Sequence, residues 1–178
     1  MAPSIGGLLR RVRAGTTHSV WVAPTFAGPE SIAVTSPDFA DRGPLPSWAA
    51  AGSAGDNRPP ALRWTDPPEG TAQLLLILED TDVPLPRPIV HTVAVLPAEL
   101  RALDDWTAPA VRFLKASFGR TGYQGPMPPP GHGAHHYDFS LFALDAPLPA
   151  EAATIGAVRR TVAGHVLARG RTTGTFER

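Results

Sequence analysis

Gly119–Leu144 reads GRTGYQGPMPPPGHGAHHYDFSLFAL, a glycine- and proline-rich loop running into an alternating, strand-like segment. Pro126, Pro128, Pro129 and Pro130 fix φ and remove freedom from the loop, whereas Gly122, Gly125, Gly131 and Gly133 permit sharp turns and exposed backbone N–H groups. From Tyr137 onward the pattern changes to a strand in which Tyr137, Phe139 and Leu141 point one way. His135 lies two residues before Tyr137 and so shares its face. A stiff loop that sets polar groups beside a strand builds a small pocket. The stretch therefore predicts a ligand site, and its imidazoles and N–H groups predict that the ligand is an anion.

Upstream, Gln73–Leu78 (QLLLIL) is a continuous apolar run, as expected of a strand buried on both faces. It ends in Glu79-Asp80-Thr81-Asp82-Val83-Pro84, which sets Asp80 and Asp82 at the mouth of a buried strand. Ile89–Leu96 reads as the next strand, with His91, Val93 and Val95 on one face. Shorter strands are expected at Ser31–Thr35 and around Leu62 and Trp64, while residues 98–118 have no clear period. Toward the C-terminus, Ile155, Val158, Val162 and His165 recur at helical steps and predict a helix within 150–168 that stops at Gly170, followed by a short final strand in TTGTF. At the other end, IGGLLRRVRA (5–14) predicts one or two amphipathic turns with Leu8, Leu9 and Val12 on one side, docked on the body of the protein or on a second copy of the chain.

The chain has 178 residues, with 21 prolines and 17 glycines, which favours short strands and ordered turns over a helical bundle. One mainly β (α+β) domain spanning 1–178 is expected, with 1–30 as an N-terminal extension. Sixteen basic residues balance 16 acidic ones, so no net field draws the chain to nucleic acid. Cysteine is absent, which excludes disulfides and thiolate metal sites. No stretch approaches the roughly 20 apolar residues of a membrane span, and a cytoplasmic location is the default expectation.

An isolated histidine on an apolar strand face is ordinarily a hydrogen-bonded core residue. His91 carries more weight because a carboxylate pair ends the preceding strand and His135 opens another. Asp80 and Asp82 fit a turn in which each caps local N–H groups; they also fit a carboxylate that holds pocket imidazoles protonated. A cationic imidazole pair beside loop N–H groups, with the Tyr137 hydroxyl, would bind phosphate or carboxylate. His132-Gly-Ala-His135-His136 is dense in imidazole, but His135 and His136 alternate to opposite faces, so no metal site is expected. No G-x-S-x-G, H-E-x-x-H or P-loop pattern occurs, which favours binding over turnover, and no cofactor is implied. The alternative is a small hydrolase or lyase using His91, His135 and Asp80 for general acid–base chemistry.

These segments resemble the phosphatidylethanolamine-binding protein family, in its bacterial Raf-kinase-inhibitor-like branch. Its D-P-D-A-P stretch appears as Asp80-Thr81-Asp82-Val83-Pro84, its histidine strand as Val90-His91-Thr92-Val93, and its long G-x-x-G-Y-x-G-P loop through H-R-Y as Gly119 to Tyr137. SPDFADRGPLP and GHVLARGRTTGTFER resemble its opening and closing segments. The resemblance implies an antiparallel β-sandwich with peripheral helices and a small anion pocket. It places ligand contacts at Asp80, His91, Gly125, Pro126, His135 and Tyr137, with Asp82 and Pro84 supporting the wall. It also suggests a kinase or a protease as a protein partner. Thr81, Thr92 and His136 depart from the family pattern, and Thr92 and His136 are expected to alternate away from the pocket.

Overall fold

Leu74–Leu78 can be apolar on every residue because this strand is covered on both faces. The computed structural model describes residues 5–178. Its elements are helix α1 (Ile5–Leu8), strands β1 (Val34–Thr35), β2 (Leu62–Trp64), β3 (Gln73–Asp80), β4 (Ile89–Pro97), β5 (Ala102–Leu103), β6 (Arg112–Leu114) and β7 (His135–Leu144), helix α2 (Ile155–Thr161) and strand β8 (Val166–Phe176). A five-stranded sheet runs β6-β4-β3-β7-β8 and a three-stranded sheet runs β1-β2-β5, with every pairing antiparallel. The expected mainly β architecture with few helices is therefore observed.

Alternate residues of β3 serve two cores. Leu74, Leu76 and Leu78 pack with Tyr137, Phe139 and Leu141 of β7 against Leu62, Trp64 and Leu103 of the small sheet. Leu75 and Ile77 face the other way, onto Val20 and Phe26 of the N-terminal segment and Val158 and Val162 at helix α2. The period of two thus sorts one strand between an inter-sheet core and an outer layer.

Two local readings change. The helical stripe expected to reach His165 ends at Thr161: α2 is seven residues long, capped by the Thr154 side chain, which accepts from the Ala157 N–H. Residues 166–176 are a long edge strand instead, in which Gly170 lies opposite Leu141. Gly170 is not a helix stop; a Cβ there would lie 1.9 Å from the Ile32 carbonyl oxygen, so close strand approach requires glycine. The N-terminal turns dock on the protein's own body, but through polar groups. Ala14 and Gly15 donate to the carbonyls of Val83 and Thr81, both at 2.9 Å, and Arg13 pairs with Asp82 at 2.7 Å. Leu8 and Val12, expected to face inward, remain exposed.

Candidate functional site

The register of the large sheet assembles the site. Asp80 pairs directly with Tyr137 across β3 and β7, which brings the end of the apolar run against the start of the alternating one. On the other side of β3, the pairing slips: Leu78 faces Thr92 and Glu79 faces Val90, so His91 is left over as a β-bulge. This changes where His91 points. Val90, Val93 and Val95 all belong to the outer core, whereas His91 lines a cavity on the opposite side with Asp80, His135 and Tyr137. The expected shared face with Val93 and Val95 is therefore corrected. A bulge adds one residue to a strand and re-aims a side chain.

The cavity has a volume of about 310 Å³. Asp80, His91, Arg120, His135 and Tyr137 supply its polar lining, and Pro84 and Gly125 lie in its wall. Pro126 is not among the lining residues, and Asp82 faces a separate cleft with Arg13, His136 and Arg171. Asp82 ties the N-terminal segment to the start of β7. One of its oxygens pairs with Arg13 and the other accepts from both the backbone and the ring of His136 at 2.7 Å. Burial alone would raise the Asp82 carboxyl, but the His136 hydrogen bonds and Arg13 outweigh it and hold it below the usual range.

At Gly125 and Pro126 the loop is tied to its neighbours rather than offering a free N–H group. The Gly125 N–H donates to Asn57 Oδ1 at 2.8 Å, the Pro126 carbonyl accepts from Ala51 at 2.9 Å, and the Tyr123 hydroxyl donates to the Ala49 carbonyl at 3.0 Å. Gly125 must be glycine, since a Cβ would stand 2.0 Å from the Ala49 oxygen. Thr92 also turns toward this loop, accepting from the Gln124 N–H at 3.2 Å, so it does not alternate away as expected. The bulge at His91 shifts the register that the expectation assumed.

Sequence reasoning left His132 outside the site, yet it completes a buried chain of polar contacts. Its Nε2 faces the carbonyls of Leu9 at 2.9 Å and Val12 at 3.1 Å, which can only accept, so Nε2 carries a proton. Its Nδ1 meets His135 Nε2 at 2.6 Å, and His135 Nδ1 meets Asp80 Oδ2 at 2.8 Å. Each contact needs one proton, so the chain holds one more than two neutral rings and a carboxylate would hold. The chain as a whole therefore carries no net charge. Asp80 Oδ1 accepts from the Asp82 N–H at 2.8 Å, so both of its oxygens are engaged. The only sequence trace of this chain is the spacing of His132 and His135; the carbonyls come from a distant segment.

The facing wall is different. His91 Nδ1 lies 3.1 Å from the Gln124 carbonyl and donates to it, which leaves Nε2 buried without a partner. The Tyr137 hydroxyl is also buried without a hydrogen bond; Asp80 and the Met127 N–H are its polar neighbours but do not reach hydrogen-bonding geometry. Burial lowers the tendency of His91 to protonate, against the opposing pull of Asp80. Burial, and then Asp80, hold Tyr137 as the neutral phenol. The two rings meet edge to face with centroids 5.5 Å apart. Around the mouth stand Leu85, Phe118 and Met127, all exposed apolar side chains. Phe118 has a φ of 59°, a conformation rarely taken by a bulky residue.

Among the described residues, no three His, Asp or Glu side chains converge as metal ligands. His132 and His135 direct their facing nitrogens at each other.

Fold and cavity together define a class: an antiparallel β-sandwich with a small, partly polar pocket at one end of its larger sheet. The chain belongs to the phosphatidylethanolamine-binding protein family, whose model matches residues 35–177. It is 32% identical over 168 residues to LppC of Mycobacterium tuberculosis, provisionally named a lipoprotein, covering 93% of this chain and 80% of that one. A UPF0098 protein of Aquifex aeolicus is 37% identical over 131 residues, covering 67% of this chain and 74% of the other. In structure it is similar to CT736 of Chlamydia trachomatis, provisionally described as a homologue of phosphatidylethanolamine-binding protein, with a TM-score of 0.75 at 26% identity over 84% of this chain and 99% of that one. Family membership supports a binding role in general terms. The cytoplasmic expectation is corrected by the lipoprotein name of LppC. That expectation rests on the lack of a membrane-spanning apolar run and is compatible with the absence of cysteine, and neither feature ties a β-sandwich to the cytoplasm. Among the described residues no helix is long and apolar enough to cross a membrane.

Proposed function

We propose that this chain is a non-catalytic binding protein for small anionic or phosphoryl-bearing ligands, held between Asp80, His91, Arg120, His135 and Tyr137. One observation carries the reading. Two polar atoms, His91 Nε2 and Tyr137 Oη, are buried without partners in residues that line one cavity, and buried polar atoms ordinarily have partners. A ligand that supplies them would gain what the empty pocket lacks. Arg120, the only Arg or Lys in the lining, adds a positive charge.

Binding is favoured over hydrolysis or lysis because among the described residues the lining contains no Ser, Thr, Cys or Lys, and both ring nitrogens of His135 are already bonded. The apolar rim of Leu85, Phe118 and Met127 supports a second reading, in which a protein such as a kinase or protease presents the anionic group. Calorimetric titration separates the outcomes. Phosphate and phosphoethanolamine are expected to bind saturably to the wild type and at least tenfold more weakly to Tyr137→Phe. Equal affinities in the two proteins would remove the pocket from the reading.

A further inference from the structure

Resting on the anion reading above, we propose that the pocket selects anions that arrive with a proton, hydrogen phosphate and phosphomonoester monoanions, over aprotic anions such as sulfate and phosphodiesters. The selecting atom is His91 Nε2. The Gln124 carbonyl at 3.1 Å fixes the proton on Nδ1, so the neutral ring presents a lone pair to the cavity. An aprotic anion would set an oxygen against that lone pair, acceptor against acceptor. A P–OH group donates to it and can accept from Tyr137 and Arg120 with its other oxygens.

The neighbours of His91 decide whether the ring could instead supply the proton itself. Asp80 on β3 favours the imidazolium, and Arg120 after β6 opposes it. Tyr137 and His135 face it from β7, the first as a neutral phenol and the second engaged with Asp80 and His132. Desolvation is the largest influence and works against the charged ring, so the lone pair persists at neutral pH. Each Asp80 oxygen already accepts one bond, from the Asp82 N–H or from His135, whereas His91 Nε2 has no partner at all. The bulge therefore does more than place a histidine in the pocket: it leaves one ring nitrogen there as an acceptor.

Hydrogen phosphate and sulfate have the same charge and similar size at pH 7.5, but only phosphate has a hydroxyl. Calorimetric titrations with phosphate, sulfate, methyl phosphate and dimethyl phosphate test the selection. Phosphate is expected to bind at least tenfold more tightly than sulfate or dimethyl phosphate at pH 7.5. Methyl phosphate should weaken about tenfold per pH unit above its second pKa of about 6, as its monoanion is depleted. His91→Phe removes the acceptor altogether and should bring the phosphate-to-sulfate ratio close to one at pH 7.5. Sulfate binding as tightly as phosphate to the wild type at pH 7.5 would overturn the selection while leaving the anion reading intact. Failure of all four anions to bind would overturn the anion reading and the selection with it.

Discussion

The two walls of the pocket use the same residue types to opposite ends. On one wall Asp80, His135 and His132 form a closed chain that ends on the Leu9 and Val12 carbonyls, with every facing atom bonded. On the other, His91 and Tyr137 each leave one buried polar atom without a partner. A fully satisfied buried network fixes a structure, whereas an unsatisfied group costs stability until something else satisfies it. The first wall is accordingly a holding device that ties the N-terminal segment to the sheet. On the proposed reading, the second presents the atoms that a ligand would satisfy. Histidine content alone would have treated His91 and His135 as equivalent.

Substitutions should separate the walls by stability and affinity. The largest effect is expected at Asp80→Ala, which leaves His135 Nδ1 and the Asp82 N–H without their acceptor and opens the buried chain. Urea denaturation should show a loss of about 3–5 kcal/mol, and a loss below 1 kcal/mol would mean that Asp80 does not anchor the chain.

Glu79, one residue away on the outer face, offers a control. Burial pushes its carboxyl up to about 7, against the Val20 N–H bond and Arg159. The unfolded chain ionises it near 4.3, so the associated stability is fully present below about pH 4 and is lost as pH rises through 7. Glu79→Gln should flatten the pH dependence of unfolding by about 3 kcal/mol between pH 4 and 8 without changing phosphate affinity. A parallel loss of affinity would show that the two faces of β3 are not separable.

His132→Ala should cost about 2–3 kcal/mol, because two carbonyls and His135 Nε2 lose their partner. Hydrogen exchange at Ala14 and Gly15 should quicken with it, and unchanged exchange would detach the N-terminal segment from the holding wall. The smallest stability effect is expected at Tyr137→Phe. Removing an unpartnered hydroxyl should leave the unfolding midpoint unchanged or raise stability by about 1 kcal/mol, while anion affinity falls. A clear loss of stability would mean that the hydroxyl is already engaged.

Much of this site is legible in the sequence because its supports are local patterns. QLLLIL and the Tyr137–Leu144 alternation locate the two central strands, and the proline-glycine loop leads into the second of them. What the sequence conceals is tertiary. The direction of His91 depends on a bulge set by pairing with Leu78 and Glu79, and no residue in VHTV signals it. His132 matters through carbonyls more than a hundred positions away. The C-terminal error has another origin. Residues 162–168 (VAGHVLA) satisfy helical and extended spacing almost equally, and pairing with β7 along most of the length of β8 decides for the strand. Strands β5 and β6, of two and three residues, are too short to impose a period.

The division between the walls is tested most directly by the ring nitrogens themselves. Imidazole ¹⁵N NMR during phosphate titration should show a large shift at His91 Nε2, as a bare lone pair acquires a hydrogen bond. The nitrogens of His132 and His135 should move little, since their partners stay in place. A dominant shift at His135 with His91 unmoved would contradict the account, because the wall read as holding would then be the one that binds.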